Sequence, residues 1–536
     1  MTPNEQQTTN NQPPSSLWQT VVTTTLVGTE RKSLTLTPST DELGNLLSQL
    51  NYADPEGALL SAVAAICLYQ KAGQLPIIDN QPLPEACQPD DQLSCNTSAA
   101  QHLWLILSEE RNKLLAEWLA AAAATGKRAP EHCLPELLDL GRTSRQLRTL
   151  ILSVLSQRGR WLAAQNPDWD YVVGEDIEET WVTGSLGARQ LLLQHLRHQD
   201  PNAARERLVE VWEQEKSDER LAFLETFQTG LSMDDEPFLE AALDDRRQEV
   251  RRQAVQLLSQ LPESRLCQRM ADRVRLSLIL KQKRHRLHID FTPEAANDQS
   301  MSRDGIDLKQ PPRLLGAKAW QILQIVAATP LQFWSEIQAE PAAEWIQAAK
   351  RSEWDRTLVD GWAVAALRQQ NPDWAEALLP LHDTFHGYLV APDKLIRGLI
   401  GVLPPERREA FFLKPLQSNS KPFDSKHPAF SLLCHCCYLW SPALTRAAIK
   451  SIQRYLTNIE NPYDWVLRSA LTTFAYFMNP SVAPELSASF SARIPESIQR
   501  SYFWAEAIDE FLALLNFRHE MLQELSELGT TELLNI

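Results

Sequence analysis

Three segments of this chain fall under one another at a fixed step. "GARQLLLQHLRHQDP", "DERLAFLETFQTGLS" and "EVRRQAVQLLSQLPE" place Arg189, Arg220 and Arg251 on one position, 31 residues apart each time. Leu193, Leu224 and Val255 keep the step, as do Leu196, Phe227 and Leu258. The intervening stretches follow it, Leu208 with Leu239, Val211 with Ala242 and Trp212 with Leu243. A period of this size with two helical patterns per step is the mark of an αα-solenoid. A short two-helix unit cannot bury its apolar stripe alone, whereas stacked neighbours share one continuous core. The repeated arginine sits at the edge of that stripe. Its stem can pack there while its head reaches an acidic turn residue. Asp218 and Asp245 are the candidate partners in the second and third units, and no acid stands close before Arg189.

The stretch "DDRRQEVRRQAVQLLSQLP" reads as an acidic turn, a Val-Arg pair and a Leu-rich helix closed by proline. It resembles a HEAT-type repeat. The step is lost by Gln282, so the regular array covers 184–261. The expected fold class is all-α, an αα-solenoid of HEAT-like repeats within a larger irregular helical-repeat body.

Elsewhere apolar residues recur at three- and four-residue steps, as over 103–124, 145–164, 317–328, 354–370 and 442–456, which predicts helices. With 18 glycines and 33 prolines, many short helices started or stopped by proline are expected. Only 21–25 and 33–37 read as weak strand candidates. Stretches 74–96, 292–312 and 414–428 are rich in Pro, Asp, Asn or Ser and read as loops or linkers. The resulting organisation is a disordered tail over 1–17, a helical region over 18–73 and a loop over 74–98. A helical region with the repeats follows over 99–291, then a linker over 292–312 and a C-terminal helical region over 313–536.

Four further strings, "WQTVVTTTLVGTERK", "VDGWAVAALRQQNPDWAEALL", "LIRGLIGVLPPERREAFF" and "WSPAL", are spread over most of the chain. They resemble an uncharacterised bacterial family common in cyanobacteria and actinobacteria. The resemblance implies a helical-repeat protein of unknown function. It also implies relatives encoded near MoxR-type ATPases, von Willebrand A proteins and SWIM zinc-finger proteins, and hence an accessory or adaptor role. None of the four strings is a catalytic signature.

The polar clusters do not assemble a known chemistry. In "LLCHCCYLW" Cys434 and Cys437 form a CxxC that would share a helix face. Zinc needs four converging ligands, and no second ligand pair stands at standard spacing. The bland alternative is a set of packed thiols behaving as small hydrophobes. His195/His198, His285/His288 and His382/His386 have helical spacing. "HDTFHGY" carries Asp383 where a zincin has Glu after its first His. In "ATGKRA" Arg128 replaces the Ser/Thr of a phosphate loop. Carboxylate runs such as "GEDIEET" and "MDDE" read as solvated turns and helix starts. No catalytic, cofactor or metal residue is assigned from sequence, and the chain is expected not to be an enzyme.

Charge and cysteine usage bound the partners. A net charge of −16 repels phosphate backbones on average, so nucleic acid is not the expected partner. Eight sparse cysteines fit reduced thiols. No signal peptide is visible and no apolar run spans a bilayer, so a cytoplasmic protein is expected. Against this acidity, "RMADRVRLSLILKQKRHRLHI" over 269–289 concentrates cations, with more over 246–252. Arg246, Arg247, Arg252, Lys281, Lys283, Arg284 and Arg286 are the candidate partner-binding residues. The plain alternative is a solvated face balanced by the protein's own acids. Most of the 16 tryptophans lie in helical contexts that suit core packing. The expected function is a non-enzymatic scaffold or adaptor for an unidentified protein partner. Two alternatives remain, an enzyme using His382, His386 and an acid, and nucleic-acid binding through 269–289.

Overall fold

A computed structural model of the chain describes residues 15–36, 42–72, 84–108, 112–172, 177–283, 286–292, 299–307, 311–418, 422–459 and 463–526. Among them 29 α-helices make the protein mostly helical (69%). The chain divides into two compact units, Met1–Glu85 and Ala86–Ile536.

In the first unit, helices Ser15–Val27, Glu42–Ser48 and Pro55–Ala72 share a core that includes Leu17, Val21, Leu43, Leu47, Ala62 and Ile66. The strand expected over 21–25 is helix instead. Leu17, Val21 and Thr24 are the buried positions of this segment, a helical rather than an alternating spacing. The hydroxyls of Thr23, Thr24 and Thr25 each donate to the carbonyl four residues back, at 2.6–2.8 Å. Those bonds accommodate a β-branched run in a helix. Residues 33–36 take no regular structure, so the second strand candidate is absent there. Of the expected tail, 15–17 open the first helix and the rest lies outside the described residues.

In the second unit the segments read as helical are helical, with two divided. The stretch 103–124 belongs to Thr97–Ser108 and Leu115–Ala124. The stretch 145–164 breaks between Arg148–Val154 and Ser156–Ala164, where Ser156 takes φ +53°. Helices Ala317–Val326, Asp355–Arg368 and Pro442–Thr457 stand where their apolar spacing places them. The all-α expectation gives way at two strand pairings. Leu278–Lys283 and Arg286–Phe291 form an antiparallel hairpin, with Leu278 opposite Phe291 and Lys281 opposite His288. Its residues alternate: Ile289 and Phe291 are buried and Leu278, Leu280 and Leu287 pack on the core, while Lys281 and Arg286 are exposed. That period of two is a strand signal, hidden by its continuity with the amphipathic Arg265–Ser277 helix. A second, two-residue pairing joins Leu93–Ser94 to Lys127–Arg128 in parallel.

The repeated positions enter one core. Leu193, Leu208, Leu224, Phe227, Leu239 and Leu258 are buried, and Leu196, Val211 and Val255 pack against them. Two of these helices begin on side-chain caps: Ser185 accepts from the Ala188 amide and Asp200 from those of Asn202 and Ala203, satisfying amides the helix leaves free. Two of the repeated arginines find their carboxylates forward along the chain. Arg189 pairs with Glu215, and Arg220 with Asp245 at 2.7 Å. Asp245 therefore serves the arginine of the preceding unit, and Asp218 is not the partner of Arg220. Arg189 also lies 4.8 Å from the Trp181 ring and Arg220 lies 5.4 Å from Trp212, two tryptophans 31 positions apart. Arg251 would find its forward partner near Leu276, just before the hairpin. It donates instead to the carbonyls of Asp245 and Arg246 at 2.8 and 3.0 Å.

Two features of this unit have no local signal. Residues 299–303, inside the expected linker, form the helix Gln299–Arg303, and Met301 and Ile306 are buried in the main core. The Tyr502–Ser526 helix packs on the first helices of the unit. Arg518 grips Glu117 at 2.6 and 2.7 Å, Lys127 donates to the Leu525 carbonyl at 2.9 Å, and Met521 and Leu525 join the core around Trp118.

Candidate partner-binding surface

The cations of 246–289 divide into two classes by what they touch. Those of the Arg265–Ser277 helix face carboxylates. Arg265 donates Nε and Nη2 to the two oxygens of Glu236 at 2.8 and 3.0 Å. Arg269 bridges Glu240 and Asp304 at 3.0 and 2.7 Å, and Arg273 reaches Asp304 at 2.7 Å. Arg303 joins the same network through Glu240 at 2.8 Å and Asp244 at 2.7 Å. Arg275 pairs with Asp272 at 2.8 Å. The Arg265 hydrogen bond holds the Glu236 carboxyl below its usual range, and the Arg303 hydrogen bond does the same for Asp244. Bidentate geometry of this kind makes the stronger ion pairs, and it leaves the helix with little free charge to offer.

Arg246, Arg247, Arg252, Lys281 and Arg286 are different. All five are exposed, and their side chains have no ion pair among the described residues. Arg246 and Arg247 stand just before the Gln248–Leu258 helix, at the end whose dipole disfavours cations. They gain neither a local partner nor a favourable field there. Lys281 and Arg286 sit on the outward face of the hairpin. Lys283 stands opposite Arg286 in register; its side chain, and Arg284 altogether, lie outside the described residues. The sequence segment 269–289 is thus not one basic surface: its helical half is neutralised internally and its hairpin half is open. Beside Arg251 a shallow depression of about 510 Å³ is lined by Asp244, Asp245, Ser300, Ser302 and Arg303. Its charges already answer one another.

The acids that neutralise the helix include three that sequence reasoning missed. Glu236 and Glu240 stand 29 residues before Arg265 and Arg269, a regular offset that could have been read. Asp304 falls in the expected linker and carried no signal. It is 2% exposed and receives both Arg269 and Arg273.

The other sequence candidates separate. The buried His382 ring places Nδ1 3.1 Å from the Leu379 carbonyl of its own turn, and Nε2 3.1 Å from the exposed Asp383. His386 stacks on Tyr388, and its amide, with that of Gly387, donates to the buried Asp360 at 3.2 Å. Burial pushes the Asp360 carboxyl up from its usual value, against the backbone amides that bind it. Among the described residues no group of three or more His, Cys, Asp or Glu is placed to hold a metal ion. The CxxC helix ends at Cys434; Cys436 turns into the core and Cys437 is exposed. Burial pushes the Cys434 thiol up to about 11. Of the tryptophans, Trp334, Trp345, Trp362 and Trp374 form a buried cluster, whereas Trp465 is 64% exposed. No helix among the described residues is long and apolar enough to cross a membrane.

A family model described as "Family of unknown function" (DUF5691) matches residues 20–525. No curated protein and no solved structure matches.

Proposed function

From the premise that the chain belongs to this family of unknown function, we propose that it is a non-enzymatic helical-repeat adaptor that docks an acidic protein partner. The contact is made by Arg246, Arg247 and Arg252, with Lys281 and Arg286 on the hairpin. One observation carries this reading: the arginines of 265–275 are matched by the protein's own acids, while these five cations are exposed and unmatched among the described residues. Uncompensated charge on an acidic protein is a steering feature for a complementary surface, and arginine is enriched where interfaces concentrate their energy.

The HEAT-like solenoid belongs to the same proposal. Its support is the forward arginine clamp, made twice at a 31-residue step, together with further side-chain bridges between residues 32 to 38 positions apart. Arg407 reaches Asp373 and Ser441 reaches Glu409. Arg468 reaches Glu506. Such nearest-neighbour bridging is what a stack of helix pairs requires. We take the partner to be a component of a MoxR-type ATPase and von Willebrand A system, on the family resemblance drawn from the sequence.

The test is a tagged pull-down from native lysate at moderate salt, beside a variant carrying Arg246→Glu, Arg247→Glu and Arg252→Glu. The expected result is a discrete acidic protein retained by the parent and lost by the variant. Equal recovery by both overturns the assignment of the surface. Recovery of nuclease-sensitive material alone replaces the reading with nucleic-acid binding, whose affinity would fall steeply with salt.

A further inference from the structure

We propose that a cleft in the second unit, remote in sequence from the arginine surface, binds a small oxyanion carried on a compact apolar body. The cleft has a volume of about 750 Å³, within the range of pockets that enclose small molecules. Its walls come from separate parts of the chain. Lys113 lies in the short 3-10 turn Asn112–Leu114, Glu117 in the first turn of the Leu115–Ala124 helix that follows, and Arg397 on Pro392–Val402. Thr473 and Tyr476 lie on Trp465–Phe477 and Arg518 on Tyr502–Ser526.

The charges in this cleft are asymmetric. Arg518 is 1% exposed. It donates Nε and Nη2 to the two carboxylate oxygens of Glu117, and Nη1 to the carbonyls of Ala475 and Met478 at 2.6 and 2.7 Å. Glu117 is the only carboxylate among the described residues that line the cleft, and both of its oxygens are engaged. The Lys113 Nζ lies 5.2 Å from the Tyr476 ring centroid, a cation–π placement that holds the ammonium at the wall. Neither Lys113 nor Arg397 meets a carboxylate among the described residues. The cleft therefore presents two unneutralised cations above a neutralised base, in a chain of net charge −16. Beside them stand the hydroxyls of Thr473 and Tyr476 and the apolar surfaces of Leu439 and Phe477. Cations, hydroxyl donors and an apolar wall are the complement of a phosphate or carboxylate head on an apolar body.

Cys437 lines the same cleft and is exposed, so occupancy can be read from its alkylation. Iodoacetamide is uncharged and its approach is not steered by the cations. Its rate at Cys437 is followed by peptide mass spectrometry, with the exposed Cys67 of the first unit as internal reference. The probes are phenyl phosphate, inorganic phosphate and neutral benzyl alcohol, on the full chain. At about ten times its dissociation constant, phenyl phosphate should slow Cys437 alkylation roughly tenfold by mass action and leave Cys67 unchanged. Benzyl alcohol should have no effect. The Lys113→Ala/Arg397→Ala variant, whose altered side chains are exposed, should lose the protection. The proposal is overturned if phenyl phosphate gives no saturable protection by about ten times a millimolar dissociation constant, if benzyl alcohol protects equally, or if the double variant stays protected. Equal protection by inorganic phosphate overturns the apolar half of the ligand.

Discussion

Arg197 and Asp235 form an ion pair whose side chains are both 0% exposed, and truncating the acid isolates its energetics. Arg197 donates to the two oxygens of Asp235 at 2.8 and 2.7 Å, and to the carbonyls of Thr229, Gly230 and Pro201 at 2.9, 2.8 and 3.2 Å. The guanidinium lies 4.3 Å from the Phe227 ring centroid. Asp235 also accepts from Arg205 and from the Ser232 amide, each at 3.1 Å. The Asp235→Ala variant leaves a buried cation without its counter-charge, which costs about 3–5 kcal/mol. Arg205, at 17% side-chain exposure, can turn toward water, so the lower end of that range is expected. At 1.36 kcal/mol per factor of ten, local opening becomes about a hundredfold to several thousandfold more frequent. Hydrogen exchange read by mass spectrometry on peptides from Leu186–Gln199 and 226–243 reports that opening. The control is Asp168→Ala. Asp168 meets Arg142 at 3.5 Å with side chains 69% and 52% exposed, and such exposed pairs contribute about 0–1 kcal/mol. An acceleration below about tenfold in Asp235→Ala, or one no larger than the control's, refutes the reasoning.

Two further outcomes follow from the same structure. Glu236 and Asp244 are held below the usual carboxylate range by Arg265 and Arg303. The stability they add is present above the unfolded-state value and is lost as pH falls through the lower folded value. Arg303→Gln should therefore lower the urea midpoint at pH 7 and differ progressively less from the parent below about pH 4; a difference independent of pH would contradict the assignment. Trp362 is fully buried and packs 5.1 Å from Trp334 and 5.2 Å from Trp374. Trp362→Ala should cost about 3–5 kcal/mol. Trp362→Phe should cost less than half as much, because the indole Nε1–H has no hydrogen-bond partner among the described residues to orphan. Equal losses in thermal denaturation would show that packing shape, not volume, sets the energy.

The apolar periodicity was a sound guide wherever one element was long enough to show its period. Asp355–Arg368 and Pro442–Thr457 stand within a residue or two of where spacing alone put them. It misled over 21–25, where five β-branched residues imitate a strand but Leu17, Val21 and Thr24 carry the helical stripe. It misled again at 278–291, where a helix runs into a hairpin without a break in charge. The surface was half legible. The cations of 246–286 were visible as a cluster, yet the sequence could not say that Arg265, Arg269 and Arg273 were already engaged. Their partners Glu236, Glu240 and Asp304 stand 29, 29 and 31 or more residues away.

The amino-acid sequence by itself determined what lies within one element or recurs along the chain: helical faces, the caps at Ser185 and Asp200, and the 31-residue step that places Leu193, Leu224 and Val255 in one core. Tertiary structure decided what depends on Coulomb pairs and cavities closed across the fold. It turned Arg189 and Arg220 toward acids of the following unit and neutralised Arg269 and Arg273 of the basic segment through Asp304. It also brought Arg518 onto Glu117, 401 positions away. The reason is physical. Burial periodicity is a property of one element and survives in its residues, whereas the charge a side chain leaves uncompensated is fixed only when distant elements have met.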